Sequence, residues 1–423
     1  MRYTSLKSFI ATVLFTALAV GIAVGQTPVA KNGILDATAW NFNERQLALN
    51  GGWLLFEDQL IGPEDSVGKS IVAHFPKTWN EIKGTRNGTG FATYKLSVLV
   101  PKETKSFALE IPQIYSSYEL WVNGKSVATN GKVGISEEET LPQWKPQTVL
   151  LQSAGTNLSI ILQVANFHHN KGGSKDPIYL GAAETLLQKR TIAVWSNMAE
   201  ALLLTLMGLG FLFIYWGTDK KRITAYFALL CLTWAVRSVF SNLYLSISLV
   251  PDFNWDLMIR IEYVTLFLSL IWAMLFTYRL FPNESSNALK YLLVGINILY
   301  ILFALFTKPI QFTQYLPVYL FTCGFVLLYC VVIVVRAWIN ERIGVLFLII
   351  SLLLGIVIFA YDLFAYEGLF VYNSIVFSIG YLTVFMLMAP ALLLHLKIIT
   401  SKAKPSNVLT YKDLYGENKS SLR

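Results

Sequence analysis

Seven long apolar stretches constrain this chain more than any other feature of its sequence. Each is close to the roughly 20 residues that a helix needs to cross about 30 Å of hydrocarbon. They are Met198–Gly217, Ile223–Tyr244, Leu257–Leu280, Tyr291–Thr307, Val318–Trp338, Gly344–Tyr366 and Val371–Leu396. We therefore predict an α-helical bundle of seven transmembrane helices over residues 194–397.

The overall composition agrees with a membrane protein. Of the 423 residues, 54% are hydrophobic and only 14% are charged, whereas a soluble domain usually carries about 25% charged residues. The net charge of +8 sits largely beside the apolar stretches, where positive charge reports membrane topology. No aromatic-basic repeat or nucleic-acid motif accompanies it, so we expect no nucleic-acid partner.

Residues 1–25 resemble a signal peptide. Arg2 and Lys7 supply a positive start, Phe9–Val20 is apolar, and small residues at Ala23 and Gly25 fit a cleavage site. The alternative is an uncleaved anchor, although the apolar run is short for a membrane span. Whether this segment is removed stays open at this point.

Between residues 26 and 188 the hydrophobic pattern changes to a period of two, which is typical of β-strands. Asn123-Gly124 is a strong hairpin signal between two of these runs. The predicted strands are Phe91–Val100, Ser106–Ile111, Ser117–Val122, Ser126–Thr129, Thr148–Leu151 and Leu158–Val164. Short strands with regular turns and no long helical pattern predict an all-β sandwich.

The distribution of positive residues predicts the orientation. With the sandwich outside, ten lysines and arginines fall on the cytoplasmic side, namely Lys220, Lys221, Arg222, Arg279, Lys290, Arg336, Arg342, Lys397, Lys402 and Lys404. Four fall on the other side, namely Lys189, Arg190, Arg260 and Lys308. The positive-inside rule then places residues 398–423 in the cytoplasm as a short tail.

Enzymatic motifs are missing from the sequence. We find no Ser/His/Asp set, Walker loop, zincin helix or paired acids at informative spacing, so we expect neither an enzyme nor a cofactor. The three cysteines, Cys231, Cys323 and Cys330, all lie in apolar stretches. This excludes a disulfide-stapled exported domain.

One candidate ligand-binding segment follows the last long predicted strand. His168, His169, Asn170 and Lys171 lie in a loop after that strand, and loops at strand ends often carry binding residues. A metal site is disfavoured because adjacent histidines on an extended segment point to opposite sides. The alternative is that this loop only packs against the sandwich or the first helix.

Tryptophans give a second candidate. Trp144, with Trp53, Trp79 and Trp121, could form a platform on which a sugar stacks. The alternative is core packing, the usual role of buried tryptophans. Trp121 alternates with Leu120 and Val122, so this strand has one face toward the core.

Four ionisable residues lie within or near the ends of the apolar stretches: Arg237, Arg260, Glu262 and Asp362. The predicted orientation places all four in the outer half of the membrane. Charge in a membrane is expensive and is paired or faces water. We consider two interpretations, a polar cluster that couples the β-domain to helix packing, and interfacial charges that snorkel with one structural pair.

Parts of the β-region resemble the galactose-binding-type jelly roll found as the sugar-binding domain of family-two glycosidases. The similar segments are Leu49–Trp53, Phe75–Asn80, Tyr94–Leu96, Leu120–Lys125 and Asn157–Ile160. The resemblance implies a jelly-roll sandwich and, more weakly, a carbohydrate-like ligand.

The chain over about residues 45–400 resembles the bacterial seven-transmembrane receptors with diverse intracellular signalling modules. The similarity rests on Ile111–Lys125, Asn130–Gly134, Pro142–Gln147, Gln163–Gly173 and, in the membrane, Leu275–Phe281. It implies a multi-pass protein of the bacterial inner membrane with a periplasmic or extracellular β-domain. Members of that family usually carry an enzymatic output domain after the seventh helix, whereas only residues 398–423 follow here. Either the signal passes to a separate cytoplasmic partner, or the chain is a truncated or regulatory relative of such receptors.

The expected function is therefore a signalling receptor that senses an extracytoplasmic small molecule or glycan. Its partners would be membrane lipid and a separate cytoplasmic signalling protein such as a kinase or cyclase. The alternative is a membrane-anchored carbohydrate-binding or scaffold protein of the envelope without signalling output. The sequence does not decide whether the protein forms a homo-oligomer.

Overall fold

The computed structural model describes residues 27–65, 68–82, 88–102, 106–151, 155–217, 222–366, 369–370 and 373–401. The predicted signal peptide and the part of the predicted tail after residue 401 lie outside these residues. So do four of the positive residues used for the orientation, Lys220, Lys221, Lys402 and Lys404. The orientation therefore stays a prediction.

Strands make up the first part of the described chain, and six of the fourteen lie where the period-two pattern predicts strands. They are β1 (Ile34–Asp36), β2 (Leu47–Ala48), β3 (Gly51–Glu57), β4 (Ile71–Phe75), β5 (Lys77–Thr78), β6 (Gly90–Leu99), β7 (Phe107–Ile111), β8 (Ile114–Tyr115), β9 (Ser117–Val122), β10 (Lys125–Asn130), β11 (Gln147–Leu151), β12 (Asn157–Asn166), β13 (Gly173–Ser174) and β14 (Tyr179–Ala182).

These strands form a sandwich, which confirms the predicted fold class. One sheet has the order β10-β9-β12-β6-β3-β4, with β1 parallel to β6, and a second has the order β11-β7-β14-β2. A small third sheet joins β5, β13 and β8. Inward-facing apolar residues from both larger sheets, such as Leu96, Leu109, Leu120 and Leu162, meet in one buried core.

The turn between β9 and β10 shows why this hairpin could be predicted from sequence. Asn123 has a φ of 51° and Gly124 a φ of 78°. A two-residue turn with both φ values positive matches the right-handed twist of its strands, and Asn-Gly adopts it at little cost. Trp121 lies on the face opposite Leu120 and Val122, which are buried.

Nine helices follow within the described residues. They are α1 (Ala183–Gly217), α2 (Arg222–Phe240), α3 (Leu245–Leu249), α4 (Trp255–Leu280), α5 (Asn287–Phe306), α6 (Pro309–Gln314), α7 (Leu316–Ile339), α8 (Val345–Tyr366) and α9 (Ser374–Ser401). Seven of them, all except the short α3 and α6, are long and apolar enough to cross a membrane. The predicted seven-helix bundle is confirmed.

The seven long helices pack as a closed bundle. α1 lies between α2 and α9, α2 packs on α4, α4 packs on α5 and α7, and α8 joins α7 to α9. Large apolar side chains such as Phe213, Phe306 and Phe321 are exposed on the outside of the bundle. A water-soluble protein rarely exposes so many contiguous apolar groups, whereas lipid solvates them.

The sandwich lies at one end of the bundle, which we call the sandwich end. α2, α5 and α8 finish there, and α1, α4, α7 and α9 begin there, because α1 follows β14 directly. The opposite end, where α2 begins and α4 and α7 finish, is called the far end.

The sandwich core gives a first test. Leu162 on β12 is fully buried, whereas the Leu150 side chain on β11 is 55% exposed. We expect Leu162→Ala to lower the free energy of unfolding of the sandwich by about 2–5 kcal/mol, since it deletes buried methyl groups and leaves a cavity. Leu150→Ala is the matched control and should change it by about 0.5 kcal/mol or less. Denaturant unfolding of the full chain, followed by tryptophan fluorescence, measures both; equal effects would contradict the sheet assignment.

Candidate functional site between the sandwich and the bundle

Aromatic rings from both parts of the protein meet where the sandwich contacts the bundle. Trp144 lies in the segment between β10 and β11, and its ring is 5.4 Å from that of Trp255 at the start of α4, nearly perpendicular at 88°. It is also 5.4 Å from Tyr244, which precedes α3, and 5.9 Å from Tyr115 of β8. We call Tyr115, Trp144, His169, Tyr244 and Trp255 the junction cluster.

The predicted ligand-binding loop reaches the junction because one buried asparagine holds it. Asn166, at the end of β12, donates hydrogen bonds from Nδ2 to the carbonyl oxygens of Gly88, His169 and Lys171. Its Oδ1 accepts from the backbone N–H of His169 at 3.1 Å. A turn with its backbone groups satisfied in this way presents its side chains in a fixed arrangement.

His169 is the residue of this loop that enters the junction cluster. Its ring stacks on Tyr115, with ring centres 4.7 Å apart and planes within 9°, and it is 2% exposed. Nδ1 accepts a hydrogen bond from the backbone N–H of Lys171 at 3.0 Å in one tautomer of the ring; it also lies 3.2 Å from the carbonyl oxygen of Lys171, to which it would donate in the other tautomer. Burial lowers the pKa of His169 to about 3, so the ring is neutral at physiological pH.

The other loop residues make contacts with the helices. The His168 ring is 6.2 Å from the Trp255 ring, and burial lowers the pKa of His168 as well. The backbone N–H of Asn170 donates to Thr313 Oγ1 in α6 at 3.2 Å. The loop therefore packs on α4 and α6 as well as on the sandwich, where Asn80 Nδ2 donates to the carbonyl oxygen of Asn170 at 3.0 Å.

A cavity of about 110 Å³ lies between the sandwich and the helices, and we call it the junction cavity. Trp144 and His169, two of the five predicted ligand-binding residues, line it together with Arg237, Glu262 and Asp362, three of the four predicted coupling residues. His168, Asn170 and Lys171 are not part of this lining among the described residues. Sequence reasoning treated the two sets as separate, and the fold brings them to one place.

Three of the four charged groups that line the cavity come from three different helices. Arg237, in the last turn of α2, donates from Nη1 to the carbonyl oxygen of Glu262 on α4 at 2.7 Å. The Glu262 carboxylate accepts a hydrogen bond from the hydroxyl of Tyr244 at 3.3 Å. Asp362, near the end of α8, makes no hydrogen bond or ion pair to any residue that the structure describes. Lys175, from the loop before β14, completes the lining charges.

Arg260 lies outside the junction cavity. Its guanidinium forms a bidentate pair with Asp256 one turn earlier, at 2.7 and 3.0 Å, and donates to the carbonyl oxygens of Ala304 and Leu305 at the end of α5. These contacts satisfy backbone acceptors that a helix leaves open at its C-terminus. Arg260 thus corresponds to the structural pair that the alternative interpretation of the ionisable residues included.

The four tryptophans considered as a sugar platform are not brought together. Trp53 and Trp79 are buried in the sandwich core, and the Trp79 indole donates to the hydroxyl of Tyr94 at 2.8 Å. Trp121 is on the outer face of its sheet. Trp144 alone lies in the junction cluster, because its segment leaves the sandwich and reaches the helix ends.

Sequence reasoning missed several residues of this region. Glu200 is buried in α1 and accepts a hydrogen bond from the indole of Trp234 at 3.2 Å; its charge within the first apolar stretch was a readable signal. The sequence gives no comparable signal for Tyr115 and Tyr244, because aromatic residues are common in both strands and helices.

Polar contacts surround the junction cluster. Gln143 Nε2 donates to the carbonyl oxygen of Phe253 at 3.2 Å. Ion pairs join Lys308 to Glu137 at 3.1 Å and Lys189 to Glu110 at 2.6 Å. The Lys308 and Glu137 side chains are 71% and 51% exposed, and such exposed pairs contribute about 0–1 kcal/mol.

Metal ligands do not cluster in the described part of the chain. No group of three or more His, Cys, Asp or Glu side chains comes together there. The three cysteines are free and buried in the helices.

The neutral state of His169 leads to a pH prediction. The unfolded chain binds a proton on this histidine below about pH 6.5, whereas the folded chain does not until about pH 3. Stability from this group is therefore present above pH 6.5 and is lost as the pH falls toward 3, by about 2 kcal/mol at pH 5. We expect His169→Gln to flatten the decrease in unfolding free energy between pH 8 and pH 5.

His74→Gln is the matched control, since His74 is exposed on β4. Denaturant titrations of the full chain at both pH values measure the slopes. A wild-type slope in His169→Gln would contradict the buried neutral state.

Comparison with solved structures finds similar β-domains in large glycosidases. A GH2 β-galacturonidase from Eisenbergiella tayi bound to glycerol is 16% identical with a TM-score of 0.25, and the match covers 32% of this chain and 24% of that one. A putative β-galactosidase from Bacteroides fragilis is 19% identical with a TM-score of 0.24, covering 32% and 23%. A β-glucuronidase from an uncultured Clostridium sp. is 15% identical with a TM-score of 0.27, covering 32% and 28%.

This chain thus spans only about a quarter of the length of these solved structures. At these scores the enzymes' activities carry no argument for this protein. Among curated proteins, none matches this chain.

The helical region gives a direct family match. The family model described as "7TM diverse intracellular signalling" matches residues 201–395, which run from the first long helix of the bundle into the last. The seven-helix part of this chain therefore matches the family of seven-transmembrane proteins described as 7TM diverse intracellular signalling.

Proposed function

We propose that this protein is a receptor whose extracytoplasmic ligand binds in the junction cavity and shifts the packing of the sandwich against the helices. One observation carries the proposal. The candidate ligand-binding residues Trp144 and His169 line the same cavity as Arg237, Glu262 and Asp362 of the helices. A ligand there contacts both parts of the protein at once.

The polar groups of the cavity favour a small ligand rich in hydroxyl groups. Trp144 Nε1 is buried and has no hydrogen-bond acceptor in the described part of the chain, and an unsatisfied buried donor costs about 1–3 kcal/mol. A ligand oxygen would satisfy it. Hydroxyl groups both donate to carboxylates and accept from a guanidinium, which suits Asp362 and Arg237, and the rings of Trp144 and Tyr115 offer apolar faces. These features support a carbohydrate-like ligand.

α4 gives the ligand a connection to the far end. It carries Glu262 in the cavity, and the segment after it carries Glu284, which is 4% exposed. Glu284 accepts from Arg342 Nε at 2.7 Å and from Asn340 at 3.2 Å, both in the turn between α7 and α8. A shift of α4 would therefore alter two far-end turns together, provided the ligand prefers one helix arrangement over the other.

The far end is the surface from which the signal would leave. The positive-charge distribution supports a far end in the cytoplasm of a bacterial inner membrane and a sandwich on the outer side. The partner would then be a separate cytoplasmic signalling protein, such as a kinase or cyclase, that recognises the far-end turns.

A distance measurement across the far end tests the receptor proposal. Spin labels at Arg222→Cys and Ile339→Cys mark the start of α2 and the end of α7; both native side chains are exposed and the three native cysteines are buried. The full chain in lipid nanodiscs is titrated with monosaccharides, their methyl glycosides and free amino acids. We expect at least one of these to change the distance distribution between the labels.

Asp362→Asn should weaken that response about 10- to 100-fold, since a hydrogen bond to a charged group contributes about 1.5–3 kcal/mol. Asp256→Asn is the matched control, because Asp256 pairs with Arg260 outside the cavity; its response should stay within about twofold of wild type. Binding without any change in label distance would contradict signalling and favour the scaffold alternative.

A further inference from the structure

A second cavity, of about 160 Å³, lies inside the helical bundle; we call it the bundle cavity. Its walls come from α2, α4, α7, α8 and α9, with side chains such as Leu230, Ala273, Val326, Leu352 and Met388. Its lining is almost entirely apolar, in contrast to that of the junction cavity.

Three of the polar side chains that line the bundle cavity, Ser269, Thr277 and Ser351, already have hydrogen-bond partners. The hydroxyl of Ser269 donates to the carbonyl oxygen of Thr265 at 2.7 Å, that of Thr277 to Ala273 at 2.9 Å, and that of Ser351 to Val384 at 3.0 Å. A water molecule needs two to four polar partners, and apolar cavities of about 150 Å³ stay dry and bind a benzene-sized molecule. The bundle cavity is therefore suited to an apolar group.

The two cavities adjoin each other. Leu266 on α4 and Phe359 on α8 contribute to the lining of both. A molecule bound in the junction cavity thus lies next to the apolar space, and these two side chains border both cavities. One continuous site would have a polar, charged part between the domains and an apolar part within the bundle.

We propose that the ligand is an amphiphile with an uncharged hydroxyl-bearing head in the junction cavity and one short alkyl chain in the bundle cavity. This rests on the proposed function, because it names the class of ligand for the same site. The head is uncharged because the cavity presents two basic residues, Arg237 and Lys175, and two acidic ones, Glu262 and Asp362. A head with a net charge would meet like charge as well as opposite charge.

The volume of the bundle cavity limits the chain. A space that holds a benzene-sized group accommodates about six carbons. Each methylene removed from water contributes about 0.8 kcal/mol, or about fourfold in affinity. The chain would also contact α4 and α8 at Leu266 and Phe359, so it adds contacts inside the bundle to those that the head group makes at its end.

A homologous series of alkyl β-D-glucosides tests this proposal. The full chain in nanodiscs is titrated with methyl, butyl, hexyl and octyl glucoside below their micelle concentrations, and apparent affinities are taken from the shift in Tm. We expect about fourfold tighter binding per methylene up to about hexyl, and little gain beyond it.

Membrane partitioning also depends on chain length, so variants provide the control. At Gly355, which lines the bundle cavity, an added Cβ would meet nothing closer than the Val384 methyl groups at 3.9 Å. Gly355→Leu should fill the cavity and remove the gain from butyl to hexyl, while methyl glucoside binds as in wild type. Gly324→Leu is the matched control, because Gly324 is exposed on α7 with no atom within 4 Å of an added Cβ.

Ala273→Leu fills the same cavity from α4 and serves if Gly355→Leu does not fold. The amphiphile proposal would be overturned if affinity depended on chain length in the same way in the cavity-filling and control variants. It would also be overturned if wild-type affinity did not depend on chain length, as expected where a phospholipid tail already fills the bundle cavity. In either case a methyl glucoside that still shifts the far-end label distance leaves the receptor proposal intact. If no glucoside binds, the hydroxyl-bearing head group is wrong. The receptor proposal itself is contradicted only if none of the monosaccharides, methyl glycosides and amino acids changes the distance between the far-end labels.

Discussion

The contact between Trp144 and Trp255 is the interaction on which the rest of the arrangement depends. It joins a segment that leaves the sandwich to the first residue of α4, with the two rings 5.4 Å apart. Aromatic pairs of this geometry contribute about 0.5–1.5 kcal/mol each beyond the area that they bury. The ion pairs around them are mostly exposed and contribute less. The junction cluster therefore holds the sandwich on the helices together with the apolar contact between Ala108 of β7 and Ala183 and Leu186 at the start of α1.

This junction also explains why a polar site exists between two apolar cores. The sandwich core and the bundle core are each complete without the other, and the rings between them leave space that Arg237, Glu262 and Asp362 border. Charges in a membrane protein need partners or water, and here they lie at the end of the bundle against the polar edge of the sandwich. The same placement makes them sensitive to any movement between the two parts.

Both architectures could be predicted because each leaves a local pattern in the sequence: a period of two for the sandwich strands, and apolar stretches long enough to span a membrane for the helices. The alternation of Leu120, Trp121 and Val122 placed β9 correctly, and Asn123-Gly124 placed its turn. The junction was not predictable in the same way. Nothing near Trp144 in the sequence indicates that it reaches Trp255, 111 positions later, and the contact depends on how the two domains are oriented. For the same reason the sequence placed Arg260 in one group with Arg237, the most deeply placed of the four, although the partner of Arg260 is Asp256 one turn away.

The most direct test of the account is a double-mutant cycle between Trp144 and Trp255. Trp144→Leu, Trp255→Leu and the double variant are compared with wild type by the free energy of unfolding of the full chain in mixed detergent micelles. The account predicts that the two changes are coupled by about 0.5–1.5 kcal/mol, because either one alone removes their shared contact. Effects that add to within about 0.3 kcal/mol would mean that the two rings do not interact, and would contradict a sandwich held on the bundle through this cluster.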